Sequence, residues 1–267
     1  MNNSIKLVAT DMDGTFLHSD NTYDVPRFKK ILKKMNAANC NFVVVSGNQY
    51  YQLRDFFPDY YDELSFVAEN GAFVKDHSDL IFAADIPKTK VDFVIDICSE
   101  YPEINNFLCG VKSAYAQRGS MTQEAFDSMA IYYHRLEWVD DLKKVDDQFL
   151  KFAQFVPEEK TNFYYDLLHE KLNGALIPVT SGHGAIDLII DGCHKASGLK
   201  RLVERWNLTP AQCVAFGDGG NDIEMLQYCG LSYAVKNAPQ NVKNAAKSTC
   251  LSNEDDGVLT VLEEFFK

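Results

Sequence analysis

What this chain lacks narrows its class before anything it contains. No uninterrupted apolar run approaches the ~20 residues that cross a bilayer, and the N-terminus, Met1-Asn2-Asn3-Ser4-Ile5-Lys6, has no basic segment leading into a long apolar stretch. Cysteine never occurs as C-x-x-C. The seven cysteines (Cys40, Cys98, Cys109, Cys193, Cys213, Cys229, Cys250) are scattered and odd in number, which argues against a disulfide framework or a zinc site. Cations are scarce: 26 Lys and Arg face 38 Asp and Glu, a formal net charge of -12. That balance weighs against nucleic acid or an anionic membrane as a partner. Internal repeats, low-complexity tracts and long linkers are also missing. These absences lead us to expect a cytoplasmic globular protein, and its 46% hydrophobic content suffices for a sizeable core in one large domain or two ordinary ones.

The pattern of what is present is an α/β rhythm with an interruption. Residues 5–10, 41–45 and 64–68 read as buried strands, and 25–36 and 49–56 as helices between them. Pro26 suits the first turn of one helix, and Pro58 stops the other. From about residue 81 aromatic residues crowd in. Strand-like pieces (107–109, 149–155, 175–180) and helix-like pieces (91–99, 158–172) then alternate less regularly. After Ala185-Ile186-Asp187-Leu188-Ile189-Ile190 the rhythm returns, with a helix at 196–206 and strands at 212–216 and 231–235. Helices at 240–246 and 257–265 close the chain. This predicts an α/β fold: a doubly wound, parallel-sheet, Rossmann-like core made of residues 1–82 and 188–267, with an inserted α+β cap domain, 83–187, built on an antiparallel sheet.

Chemistry concentrates at predicted strand ends. Asp11-Met12-Asp13-Gly14-Thr15 follows the first strand, where alternation places Asp11 and Asp13 on one side. Two crowded carboxylates repel unless a proton or cation intervenes. Ser46-Gly47-Asn48 ends the second strand, Gly217-Asp218-Gly219-Gly220-Asn221-Asp222 follows a later one, and Lys195 opens a helix. Ligands of open α/β sheets bind outside the carboxyl ends of the strands, so these groups are predicted to converge. Mg²⁺, a hard cation that takes oxygen ligands and pairs with phosphate, fits that many carboxylates. Each piece also has a bland reading: Ser46-Gly47 as a helix cap, Lys195 as a solvated lysine, the glycine-rich run as a flexible loop. Their common position makes coincidence a poor explanation.

Together these four motifs resemble those of the haloacid-dehalogenase superfamily phosphatases. Glu69-Asn70-Gly71-Ala72 ahead of the insert is similar to the Cof-like, type IIB branch with a C2-type cap. Ser46-Gly47-Asn48-Gln49 looks closest to the sugar-phosphate phosphatases. Asn48 stands where many relatives carry Arg, and Asp187 where many carry Glu. The resemblance implies a Mg²⁺-dependent phosphoric monoester hydrolase acting on small phosphorylated metabolites, foremost sugar phosphates. Asp11 would be the nucleophile that forms an aspartyl-phosphate, and Asp13 the acid and base. The Asp11 and Asp218 carboxylates and the Asp13 main-chain carbonyl would hold Mg²⁺. Ser46, Gly47, Lys195 and Asn221 would bind the phosphoryl group, with Asp222 orienting Lys195 or a metal-bound water. The insert would act as a lid, and His183, in Ser181-Gly182-His183-Gly184, is the cap residue expected to reach the leaving group. His134, Arg135 and Arg118 are weaker candidates. A phosphosugar mutase of the same superfamily and a non-catalytic phosphometabolite-binding regulator remain alternatives. The oligomeric state stays open.

Overall fold

The computed structural model describes residues 5–182 and 184–267. The chain begins with β1 (Leu7–Thr10), α1 (Val25–Ala37), β2 (Asn41–Val45), α2 (Tyr50–Asp55), β3 (Ser65–Ala68), β4 (Phe73–Asp76) and β5 (Asp79–Ala83). The middle third contributes α3 (Lys88–Ser99), β6 (Asn105–Gly110), β7 (Ala114–Gln117), α4 (Gln123–Ser128), β8 (Leu136–Val139), β9 (Phe149–Phe155), α5 (Thr161–Leu172), β10 (Ile177–Gly182) and β11 (Ala185–Ile189). The chain closes with α6 (Lys195–Arg205), β12 (Cys213–Gly217), α7 (Ile223–Tyr228), β13 (Leu231–Ala234), α8 (Gln240–Ala245), β14 (Ser248–Thr249) and α9 (Gly257–Phe265).

Local sequence explains the main pieces. Every residue of β1 is buried, as expected of a central parallel strand covered on both faces. In α1, Phe28, Ile31, Leu32 and Met35 recur at helical spacing and point inward, while the Asp24 side chain accepts a hydrogen bond from the Arg27 N–H and caps the first turn. Beneath the β1 exit, the Phe16 ring packs edge-on against Phe28, with centroids 5.3 Å apart, and anchors the loop that carries Asp11 and Asp13.

The larger sheet has the order β14-β13-β12-β1-β2-β3-β4-β5. It is parallel from β14 to β3, and an antiparallel hairpin, β4–β5, extends it at one edge. The smaller sheet, β10-β11-β9-β6-β7-β8, comes wholly from the inserted segment. Its pairs are antiparallel except β7 with β8, which run parallel. The expected antiparallel sheet is therefore a mixed one. A tight hairpin cannot join parallel neighbours, and the connection from β7 to β8 crosses over through α4. The smaller sheet also keeps β11 through Ile189, where it pairs with Ile177. Leu188 and Ile189, expected in the 188–267 core segment, thus sit in the sheet of the insert. Among the described residues no helix is long and apolar enough to cross a membrane.

Candidate active site

Three adjacent strands, β12, β1 and β2, deliver their C-terminal loops to one place, because Thr10 is in register with both Phe216 and Val44. Asp11 continues the ladder, its N–H donating to the Phe216 carbonyl at 3.0 Å. The chain then turns tightly, with the N–H groups of Phe16 and Leu17 both donating to the Met12 carbonyl at 2.9 Å. Gly14 occupies the left-handed region at φ +71°, and a Cβ there would lie 2.7 Å from Asp218 Oδ2. Only glycine allows both that backbone and that approach. Ser46 is tied to the neighbouring strand through its N–H, which donates to the Val67 carbonyl at 2.9 Å. Its Oγ accepts from the Asn48 N–H at 3.1 Å, which leaves the hydroxyl proton free to donate. Lys195 opens α6, held by a capping box in which His194 and Ser197 exchange hydrogen bonds.

From there the Lys195 ammonium reaches Asp11 Oδ1 at 2.6 Å and Asp222 Oδ1 at 2.7 Å. Asp222 Oδ2 accepts from the N–H groups of Asp218 (3.0 Å) and Gly219 (2.9 Å), which shapes the loop after β12. Gly217 permits this closeness, since a Cβ there would meet the Asp222 side chain at 2.6 Å. Asp218 Oδ1 accepts from the Thr15 hydroxyl at 2.7 Å, and Asp13 Oδ2 from the Asn48 amide at 2.7 Å. Asp11, Asp13, Ser46, Gly47, Asn48, Lys195, Asp218 and Asn221 all line one cavity of about 550 Å³.

The electrostatics are those of a carboxylate excess. Burial lifts the Asp11 carboxyl to about 7; Lys195 pulls it down, while Asp218 and Asp13 push it up. Burial raises Asp13 and Asp218 as well, opposed by hydrogen bonds from Asn48 and Thr15. Asp222 rises to about 6 by burial, against the pull of Lys195. Burial alone would discharge Lys195, but Asp11 and Asp222 outweigh it and hold the ammonium charged. One oxygen each of Asp11, Asp218 and Asp222 fall within 4.8 Å of one another. An all-oxygen donor set of this charge suits a hard divalent cation. The Asp11 and Asp218 carboxylates are the groups with capacity to hold it, because both Asp222 oxygens are already committed to protein donors.

The inserted segment adds residues that the sequence reading did not assign. Lys151, central in β9 and fully buried, donates to the Gly47 carbonyl at 2.8 Å and to Asp187 Oδ2 at 2.9 Å, and lies 3.3 Å from Glu69 Oε2. Asn70 also donates to Asp187 Oδ2, at 2.6 Å. The signal was present, because a lysine inside the apolar run Phe149-Leu150-Lys151-Phe152-Ala153 must find buried carboxylates. Among the weaker candidates, Arg118 pairs with exposed Asp140 at 3.3 Å and His134 meets Asp55 at 2.8 Å. The Arg135 guanidinium lies over the Tyr51 ring, 3.6 Å from its centroid. None of these three lines the cavity. His183 lies outside the described residues.

Comparison with known proteins gives this arrangement its class. The haloacid dehalogenase-like hydrolase family matches residues 8–262. The 5-amino-6-(5-phospho-D-ribitylamino)uracil phosphatase YbjI of Escherichia coli is 42% identical over 265 residues, 99% of this chain and 97% of that protein. YitU of Bacillus subtilis, which carries the same activity name, is 24% identical, with 97% of each chain covered. The crystal structure of SMU.1108c from Streptococcus mutans superposes with a TM-score of 0.92 at 38% identity, covering 98% of this chain and 99% of that one. The chain belongs to the haloacid dehalogenase-like hydrolases and is a phosphatase of that superfamily.

Proposed function

We propose that this phosphatase hydrolyses small metabolites whose phosphate sits on a polyol or sugar chain, and that 5-amino-6-(5-phospho-D-ribitylamino)uracil heads the candidates. The observation that carries this reading is the match of 42% identity across 99% of the chain to a phosphatase named for that compound. The donor arrangement supports it, because it offers a nucleophile, an acid, a cation and hydroxyl donors around one cavity.

In this reading Asp11 attacks phosphorus in line through one carboxylate oxygen, the other staying with the charged groups of the site, and becomes an aspartyl-phosphate. Asp13 gives its proton to the leaving alkoxide and then takes one from the water that attacks the intermediate. Its raised pKa fits a group that must be protonated at the first step. Lys195 neutralises charge on the transferring group, the Ser46 hydroxyl donates to a phosphoryl oxygen, and Asn221 contacts the phosphate side of the cavity. Asp222 keeps Lys195 aimed at Asp11 and fixes the loop that carries Asp218. Mg²⁺ held by the Asp11 and Asp218 carboxylates and the Asp13 main-chain carbonyl would supply charge stabilisation to the phosphoryl group. Residues 83–187 are proposed to act as a cap that excludes water and selects the leaving group.

The test is inorganic phosphate release from a panel that includes 5-amino-6-(5-phospho-D-ribitylamino)uracil, sugar phosphates and nucleotides, with Mg²⁺ and with EDTA. Metal-dependent release that favours polyol and sugar phosphates is the expected result. Phosphate release from none of them, with isomerisation of a phosphosugar instead, would replace hydrolysis by phosphoryl return to sugar.

A further inference from the structure

The lining of the cavity is chemically divided. The loops after β1, β2 and β12 and the start of α6 supply acids and Lys195, and the insert supplies, beside Lys151 and Asp187, the apolar and aromatic Ile131, Tyr132 and Phe155. Ile131 and Tyr132 are 58% and 39% exposed, although large apolar side chains in this protein are mostly buried. Exposed apolar groups inside a catalytic cavity mark a ligand contact more than a folding need. The Tyr132 ring lies near parallel to Phe155, with centroids 6.3 Å apart and planes at 24°.

This wall is held in place relative to the phosphate loop. Gln52 of α2 donates to the Ile131 carbonyl at 2.8 Å. Gln49, one residue before α2, exchanges two hydrogen bonds with the Arg135 backbone, at 2.8 and 2.9 Å. Between them, buried Tyr133 stacks on Phe107 with planes at 13°. Because α2 directly follows Ser46-Gly47-Asn48, the same helix that continues the phosphate loop fixes the distance from that loop to the aromatic wall. A surface prepared this way meets a ligand without first paying for its own ordering.

We infer that Tyr132, backed by Phe155, is the receptor for a planar ring at the far end of the leaving alcohol, and so sets the preference for ring-bearing phosphate esters over plain polyol phosphates. This rests on the phosphatase reading above and assigns the part of the substrate that the chemistry itself does not touch. A flat π-face against an aromatic side chain is favourable and tolerant of ring identity.

The experiment compares kcat/KM for 5-amino-6-(5-phospho-D-ribitylamino)uracil and for D-ribitol 5-phosphate, in the wild type, Tyr132→Ala, Tyr132→Phe and Phe155→Leu. The wild type should prefer the ring-bearing ester. Tyr132→Ala should reduce that preference about tenfold, in line with the loss of one ring stack, with the ringless ester little changed. Tyr132→Phe should retain the preference, and Phe155→Leu should lower it less. Equal loss on both esters, or an unchanged ratio in Tyr132→Ala, would overturn the assignment. Calorimetric binding of the phosphate-free product, 5-amino-6-(D-ribitylamino)uracil, separates this inference from the chemistry. Binding that Tyr132→Ala weakens about tenfold supports the ring site even if neither ester is hydrolysed. Wild-type protein that fails to bind the product overturns it even if ribitol 5-phosphate is a substrate.

Discussion

Replacing Lys151 with Met removes the cation from a three-charge cluster, two members of which are buried, that joins the insert to the loop after β2. The Lys151 and Glu69 side chains are 3% and 2% exposed, so neither charge is rescued by solvent. Breaking a buried pair by deleting one partner typically costs about 3–5 kcal/mol. Here protonation limits the loss. Burial already lifts Glu69 from 4.5 to about 6, with Lys151 pulling it down and Asp187 pushing it up. Without Lys151 the Glu69 carboxyl will stay neutral at pH 7, at a cost about 1 kcal/mol above that of the wild-type charged form. Loss of the hydrogen bonds to Gly47 and Asp187 adds about 1 kcal/mol each. We expect destabilisation of roughly 3 kcal/mol at pH 7.

The sign with pH follows from the raised Glu69 value. A carboxyl whose folded pKa exceeds its unfolded one contributes stability below about 4.5, and that contribution is lost as pH rises through about 6. In Lys151→Met the folded pKa climbs further, so the loss continues to higher pH. The gap between mutant and wild type should therefore narrow by about 1 kcal/mol between pH 7 and pH 5. Urea unfolding at both values measures it, and the double variant Lys151→Met/Glu69→Gln should recover part of the loss at pH 7. A change under about 1 kcal/mol at pH 7, or a gap that does not narrow at pH 5, would refute the buried-charge account.

Three further outcomes follow from the site. Asp13→Asn should slow formation of the aspartyl-phosphate from alkyl phosphates by about 10²–10⁴-fold while sparing that first step for esters with good leaving groups, as single-turnover kinetics would read; equal loss of the first step on both classes would remove Asp13 from the acid role. Asp218→Asn should raise the Mg²⁺ concentration needed for half-maximal activity or abolish activity, so an unchanged metal titration would exclude Asp218 as a ligand. Gly14→Ala forces a side chain into φ +71° and against Asp218 Oδ2. It should cost about 1–2 kcal/mol in unfolding experiments and weaken metal-dependent activity, and wild-type behaviour on both measures would show that the loop gives way.

The parts of the fold that were legible in sequence are those where burial on both faces leaves a continuous apolar run. Asn41–Val45 and Phe149–Phe155 were read with the bounds they have, and Gly257–Phe265 likewise. The acidic loops after β1 and β12 stood out because polar residues at the ends of such runs have few structural reasons to be there. The β4–β5 hairpin was not read. It is an edge structure, with Asp79 and Leu80 exposed and a turn through His77 at φ 56°, so it shows neither the alternation nor the glycine of a common hairpin. Parallel pairing of β7 and β8 is set by tertiary packing and has no local signature. Lys151, Glu69 and Asp187 come from distant segments, and nothing in spacing tells which lysine meets which acid. The aromatic residues that crowd the insert meet different fates: Phe107 is core, buried Tyr133 reaches from the core to the cavity, and Tyr132 and Phe155 line the cavity. Type and periodicity alone do not separate those fates.

The proposed chemistry turns on Asp11 carrying the phosphoryl group. The most direct measurement is phosphate release by wild type and Asp11→Asn, with Mg²⁺, on the best ester of the panel, beside urea unfolding of both proteins. We expect a loss on the order of 10³-fold or more in the variant, with the protein still folded, since Asp222 remains to pair with Lys195. Retained turnover in a folded Asp11→Asn protein would contradict it.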